Sequence, residues 1–178
     1  MHLTDWLRYT GWISPARRLE WFPPYRSMGV KVLALENGWR KVRLLLPLNR
    51  RTRNPGGSMF GGSIALLADP IPALSCNRVF PGHAVWTRHL EVDFRRPGLF
   101  GLELRFDFDA DVEQRIAADL AQGQRSDPCF EFGFYLPNGE VCAWVINRVA
   151  IRPMDQSRSR GGALRRRQSR NRIREKNV

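Results

Sequence analysis

Hydrophobic positions alternate with polar ones over several stretches of this chain, and they close up into one unbroken apolar stretch near the middle. Residues 29–36 and 39–48 flank Asn37-Gly38, a strong short-range hairpin signal, and Val42, Leu44, Leu46 and Leu48 alternate along the second arm. After a polar loop, Asn49 to Asn54, the chain is apolar on all sides from Phe60 to Leu74, which predicts a buried helix. Pro70 and Pro72 should kink or loosen it just after Asp69. Strands dominate the remainder. Residues 84–95 set Trp86, Leu90, Val92 and Phe94 on one face, with Arg88 as an exception. Residues 99–109 alternate Leu102, Leu104, Phe106 and Phe108 with Glu103, Arg105, Asp107 and Asp109. Asp111 with Gln114 reads as a capping box for a helix through Leu120 that ends at Gly123. Phe130, Phe132, Phe134 and Leu136 alternate again, Asn138-Gly139 turns the chain, and residues 140–151 form the last strand.

Ahead of these elements, residues 4–22 read as two short helices, one capped by Thr4 and one starting at Ser14-Pro15. Trp6, Tyr9, Trp12, Trp21, Phe22 and Tyr25 crowd this segment, either as a lid packed on the core or as a surface that meets acyl chains or membrane. The order is then a hairpin, one long buried helix, and four antiparallel strands with a short surface helix inserted. A helix apolar all round has to be wrapped by a curved sheet. The pattern therefore predicts an α+β hotdog architecture: an N-terminal helical segment at 1–28, a hotdog domain at 29–153, and a basic tail at 154–178.

Charge changes one part of this picture. The 178 residues carry a net +12, but residues 157–178 hold nine Arg and Lys against Glu175, so only +4 belongs to the rest. The tail, with Arg165-Arg166-Arg167, reads as a polycation able to take a nonspecific anionic partner such as RNA, lipid or acidic protein. No apolar run is long enough for a membrane span, and the start lacks a secretory pattern. Cys76, Cys129 and Cys142 have neither CxxC nor metal spacing, which suggests a reducing, cytoplasmic setting, with Cys76 packed in the core. A two-residue turn at Asn138-Gly139 would pair Leu136 with Val141 and Tyr135 with Cys142. Cys129 would then face Arg148, out of register for a disulfide with Cys142.

Between Arg53 and Arg78 there is one charged side chain, Asp69. A lone carboxylate in an apolar, glycine-led window must be paired, neutralised or used. Arg88 is a candidate partner for pairing. His83 and His89 fall in or near a strand with no visible partner. Ser58 and Ser63 could hold water, although Ser58 is placed to cap the helix. Arg50, Arg51 and Arg53 either meet phosphates of coenzyme A or an acidic carrier protein, or form a solvated face.

Three segments, Asn54-Pro55-Gly56-Gly57-Ser58-Met59-Phe60-Gly61-Gly62, Ala68-Asp69 and Val92-Asp93-Phe94-Arg95-Arg96-Pro97-Gly98, resemble hotdog-fold thioesterases of the phenylacetic-acid-pathway type. With Trp21-Phe22-Pro23-Pro24-Tyr25 and Val149-Ala150-Ile151-Arg152, they resemble still more a group of uncharacterised thioesterase-like hotdog domains, over roughly residues 15–153. The resemblance implies a homodimer or a dimer of dimers acting on an acyl-CoA or acyl-carrier-protein thioester, with sites at the subunit interface and no cofactor or metal. It makes Asp69 the base or nucleophile, the Gly61 N–H the donor to the thioester carbonyl, and Asn54 a positioning group. Phe60, Gly62, Ser63, Ser58 and Arg53 would line the substrate. Phe60 departs from the pattern, since many relatives carry His there, and it offers only shape and apolar surface. A non-catalytic acyl-ligand-binding protein is the alternative the departure favours; a dehydratase lacks its expected His with an acidic partner. Gly61 and Asp69 are eight residues apart, about 12 Å along one helix. One thioester carbon cannot meet both, so a site using this pair needs two chains.

Overall fold

Ser14 caps the first helix described, α1 (Pro15–Trp21): its Oγ accepts the N–H of Arg17 and Pro15 occupies the first turn, as expected of a Ser-Pro start. The computed structural model describes residues 14–154. The expected Thr4 helix and the basic tail therefore lie outside the described residues, apart from the tail's first residue, Met154. A second helix, α2 (Pro23–Met28), follows at once and buries Tyr25 and Met28, while Trp21 stays half-exposed. Among the described residues the aromatics of this segment thus divide between buried and exposed positions, and Trp6, Tyr9 and Trp12 lie outside them.

The first hairpin joins β1 (Lys31–Glu36) to β2 (Lys41–Leu46). Its loop takes four residues, and Asn37, Gly38 and Trp39 all have left-handed φ angles, so the strand starts two residues later than Trp39. The central helix is two helices, α3 (Gly61–Ala68) and α4 (Pro70–Val79), with the break at Asp69. Pro70 and Pro72 have no N–H to give the carbonyls of Leu66 and Ala68, which is why the break falls there.

The remaining elements are β3 (His83–Phe94), β4 (Leu102–Asp107), α5 (Ala110–Ala121), β5 (Cys129–Tyr135) and β6 (Val141–Pro153). The six strands among the described residues pair antiparallel in the order β1-β2-β4-β5-β6-β3, with β1 and β3 as edges. Val42, Leu44, Leu46, Leu102, Leu104, Phe106, Phe132 and Phe134 fill the core together with Ile64, Leu67 and Ile71 of the central helix. This is the hotdog fold that the periodicity predicts.

Three local expectations need correction. Asp109, not Asp111, caps α5: its Oδ1 accepts the Val112 N–H at 2.9 Å, two residues earlier than the capping-box reading. The last hairpin turns through three residues, Pro137, Asn138 and Gly139, so Tyr135 pairs with Val141. A bulge between Phe134 and Tyr135 absorbs the extra residue, and from Phe134 back the expected register holds, with Cys129 opposite Arg148. Cys76, Cys129 and Cys142 are all free, and burial pushes the Cys76 thiol well up. In β3 the register shifts between Thr87 and His89, which makes Arg88 a bulged residue. The bulge flips the alternation. Thr87 hydrogen-bonds the Asp69 carbonyl and Val85 packs on the core, whereas Trp86 sits on the other side under the Arg152 guanidinium, 5.5 Å away. Beyond the bulge Leu90 and Val92 pack inward.

Candidate functional site

The loop ahead of the central helix is folded by its own side chains. Asn54 Nδ2 donates to Ser58 Oγ at 2.9 Å, and Asn54 Oδ1 accepts the Ser58 N–H at 3.2 Å. The Asn54 N–H in turn donates to the Ser58 carbonyl. Ser58 is thereby occupied in the loop and does not cap the helix. The residue at that position is Phe60, which has no side-chain bond to the first turn. The N–H groups of Gly61 and Gly62 therefore stay free of partners among the described residues, as unsatisfied donors at the positive end of a helix dipole.

Beside these donors lies a cleft of about 390 Å³, lined by Asn54, Ser58, Gly61 and Ile64 on one side and by Phe94, Arg95 and Arg96 on the other. A Cβ on Gly61 would sit 2.9 Å from the Phe94 ring, so glycine is what lets the backbone meet the cleft. Arg95 is held by Asp93 at 2.8 Å, and Arg96 by the Val141 carbonyl at 3.0 Å and Glu140 at 3.4 Å. The Phe60 ring folds over Gly62 and is 54% exposed. Of the residues expected at the site, Asn54, Ser58 and Gly61 come together in the cleft. Phe60 and Gly62 flank it, Ser63 is buried in the helix, and Arg53 is exposed, bridging to Met59.

Asp69 stands at the far end of α3, about 12 Å along the helix axis from Gly61. Gly62, Leu66 and Asp69, four and three residues apart, are exposed on one side of the helix. The expectation of a helix buried on every side thus fails for the single chain: one apolar stripe is left open, with a carboxylate at its end. Arg88 is not the partner of Asp69, because the bulge turns it to Asp127 at 3.2 Å. No ion pair reaches Asp69 among the described residues. Partial burial raises its carboxyl above the ordinary aspartate value, and the neighbouring Thr87 hydroxyl works against the rise. His83 rests on the Phe80 carbonyl, and His89 lies exposed 3.9 Å from Glu91.

Periodicity gave no hint of the groups around Asp69. Tyr25 Oη, fully buried, donates to the Leu67 carbonyl at 3.1 Å, and its own ionisation is opposed by burial and by the nearby Asp69 charge. Thr87 Oγ1 and Asn147 Nδ2 both donate to the Asp69 carbonyl, at 2.7 and 3.0 Å. Asn147 is fully buried and its Oδ1 has no partner among the described residues, a state that costs about 1–3 kcal/mol. The one available signal was an asparagine in the inward row of β6, between Val145 and Val149. No group of three or more His, Cys, Asp or Glu side chains among the described residues is placed to hold a metal ion, and no helix there is long and apolar enough to cross a membrane.

Solved structures share this architecture. The Pseudomonas aeruginosa protein PA5026, of unknown function and described as a probable thioesterase, superposes with a TM-score of 0.65 at 22% identity, over 73% of this chain and 87% of its own. The thioesterase HI1161 from Haemophilus influenzae gives 0.58 at 14% identity, over 78% and 90%. Escherichia coli PaaI, from the phenylacetic acid degradation operon, gives 0.50 at 15% identity, over 73% and 83%. No curated protein matches the sequence. At these identities the likeness is one of fold. The sequence itself matches, over residues 15–146, the family described as domain of unknown function DUF4442. The chain belongs to that family, and its fold is that of the hotdog thioesterases.

Proposed function

We propose that this protein hydrolyses an acyl thioester, carried on coenzyme A or an acyl-carrier protein, as a homodimer in which each site joins the cleft of one copy to Asp69 of the other. The observation that carries the reading is the open side of the central helix. It holds partnerless N–H groups at one end and a carboxylate of raised pKa at the other, too far apart to act on one carbon in a single chain. A second copy, antiparallel across that side, would cover Leu66 and bring each carboxylate to the opposite helix start. β3 supports the same arrangement, since it is an edge strand of twelve residues with one side unpaired among the described residues.

In such a site the Gly61 N–H takes the thioester oxygen. Donors of this kind contribute about 3–4 kcal/mol when aimed at the developing oxyanion. Asp69, ionised but made more basic by partial burial, takes a proton from the attacking water, or attacks the carbonyl itself to form an anhydride that water then cleaves. In either route the C–S bond breaks and the thiolate leaves, taking up a proton that water supplies. Asn54 holds the loop that shapes the cleft. The test is thiol release from a panel of acyl-CoAs by the wild type and by Asp69→Ala; equal rates would refute the assignment.

A second reading, a hotdog protein that binds an acyl ligand without cleaving it, is favoured by Phe60, which puts an exposed apolar ring where a hydrogen-bonding side chain would assist chemistry. Tight acyl-CoA binding with no free thiol would establish it.

A further inference from the structure

The break in the central helix ought to be a weak point. Two prolines leave the Leu66 and Ala68 carbonyls without their helical donors, and Asp69 keeps helical angles (φ −49°, ψ −55°), a region that a following proline disfavours. Yet three side chains from three other elements converge on it: Tyr25 of α2 on the Leu67 carbonyl, and Thr87 of β3 with Asn147 of β6 on the Asp69 carbonyl. We infer that Thr87 and Asn147 are positioning residues, two neutral donors that lock the Asp69 main chain at the break so that its carboxylate stands fixed at the open side of the helix.

Two features argue that this is more than packing. Thr87 points inward because the bulge at Arg88 separates it from the inward series Leu90 and Val92; an unbulged strand with the latter facing in would turn Thr87 out. Asn147 lies in the inward row with Ala143, Val145, Val149 and Ile151, all buried. A leucine or valine there would leave no orphaned oxygen, whereas the asparagine leaves Oδ1 without a partner and gains one bond, to Asp69.

The neutrality of the donors matters. An Arg or Lys against Asp69 would hold it ionised and weaken it as a base; a hydroxyl and an amide fix its place without pairing its charge. The other groups near it keep to this rule. Tyr25 is buried and held neutral, Arg88 is turned to Asp127, and His89 lies toward Glu91. The one proton of the Thr87 hydroxyl goes to the Asp69 main-chain carbonyl, and from that place beside the carboxyl the hydroxyl opposes the rise that burial causes.

The inference rests on Asp69 as the working carboxylate, so its test has one arm independent of activity. In the full-length protein the Asp69 side-chain carboxyl is titrated by 13C NMR in wild type, Thr87→Val, Thr87→Ser and Asn147→Leu. Alongside, kcat and KM for acyl-CoA hydrolysis are measured against pH, with Asp69→Asn as control. Thr87→Val should raise the Asp69 midpoint, carry the acid limb of kcat upward with it, and lower kcat roughly tenfold or more with little change in KM. Thr87→Ser should restore both, and Asn147→Leu should lower kcat in the same way. A Thr87→Val protein that melts lower but titrates Asp69 as wild type does would overturn the inference and leave Thr87 a packing residue. Thr87→Ala replaces the valine if that does not fold, and the Thr87 series decides alone if Asn147→Leu does not. Hydrolysis by Asp69→Asn at the wild-type rate would refute the proposed function instead, while the NMR arm still decides whether Thr87 governs Asp69.

Discussion

Two inactive variants should make one active protein. Asp69→Asn removes the carboxylate. Gly61→Val puts side-chain carbon where even a Cβ would lie 2.9 Å from the Phe94 ring, at the donor end of the cleft. Each variant alone loses both sites of a dimer. If a site takes Gly61 from one copy and Asp69 from the other, a heterodimer of the two variants keeps one intact site, made from the Gly61 of the first and the Asp69 of the second. Random exchange puts half the dimers in mixed form, each with one site of two, so an equal mixture should recover about one quarter of wild-type activity. A purified heterodimer should recover about half. The expectation follows from the 12 Å or so between the two residues, which forbids a site that draws both from one chain. The assay is thiol release from an acyl-CoA after mixing, with native mass spectrometry to count the heterodimers. Heterodimers that form and stay as inactive as their parents would refute the two-chain site.

Leu66 is 45% exposed in the single chain, so covering what remains contributes roughly 1 kcal/mol per copy and about 2 kcal/mol per two-fold dimer. Leu66→Glu should therefore weaken dimerisation about thirtyfold or more, read by sedimentation equilibrium; an unchanged Kd would show that another surface pairs. Asp69 has its carboxyl raised on folding, so the folded state holds that proton more tightly, and stability falls as pH rises through the raised value. Asp69→Asn should consequently melt no lower than wild type at neutral pH, with its advantage shrinking toward acid in thermal scans. Glu113 is shifted the other way by its paired bonds to Arg40 (2.7 and 2.6 Å), so that contribution is present above the unfolded glutamate value and lost as pH falls through the lowered folded one. Arg40→Ala should cost up to about 1 kcal/mol and lower Tm by a few degrees at pH 7, but by little near pH 2.

What the sequence revealed and what it hid divide along one physical line. The hairpins, the central helix and the order of elements along the chain follow from alternation and turn chemistry, which act over a few residues at a time, whereas the register opposite Cys129 holds because the bulge after Phe134 absorbs the extra residue of the turn. The Arg88 bulge defeats that logic, because a single inserted residue changes which face every later side chain takes. It moved Trp86 outward and Thr87 inward, against a reading that put Trp86 with Leu90 and Val92. Arg88, an anomaly on an apolar face, was the visible trace of it. Asn54, Ser58 and Gly61 were legible together because the loop and the helix start are contiguous. Tyr25, Thr87 and Asn147 were not, since they lie 44, 18 and 78 residues from Asp69 and only the tertiary fold unites them on the helix break.

That break concentrates several choices that a chain built only for stability would avoid. Its helix is interrupted by Pro70 and Pro72, its carboxylate is partly buried with no cation against it, and a buried asparagine oxygen goes without a partner. Each has an inexpensive remedy within reach of ordinary substitution: alanine for the prolines, asparagine for Asp69, leucine for Asn147. Elsewhere the same chain does not spare stabilising detail, as the side-chain caps at Ser14 and Asp109 and the paired bonds of Arg40 to Glu113 attest. Local rules broken together at one place mark a site where geometry was worth more than stability. On the proposed function, the tailored quantity is the direction and basicity of one carboxylate. A protein that only enclosed an acyl chain would need neither, and for that reason the architecture of the break weighs toward hydrolysis even with phenylalanine at position 60.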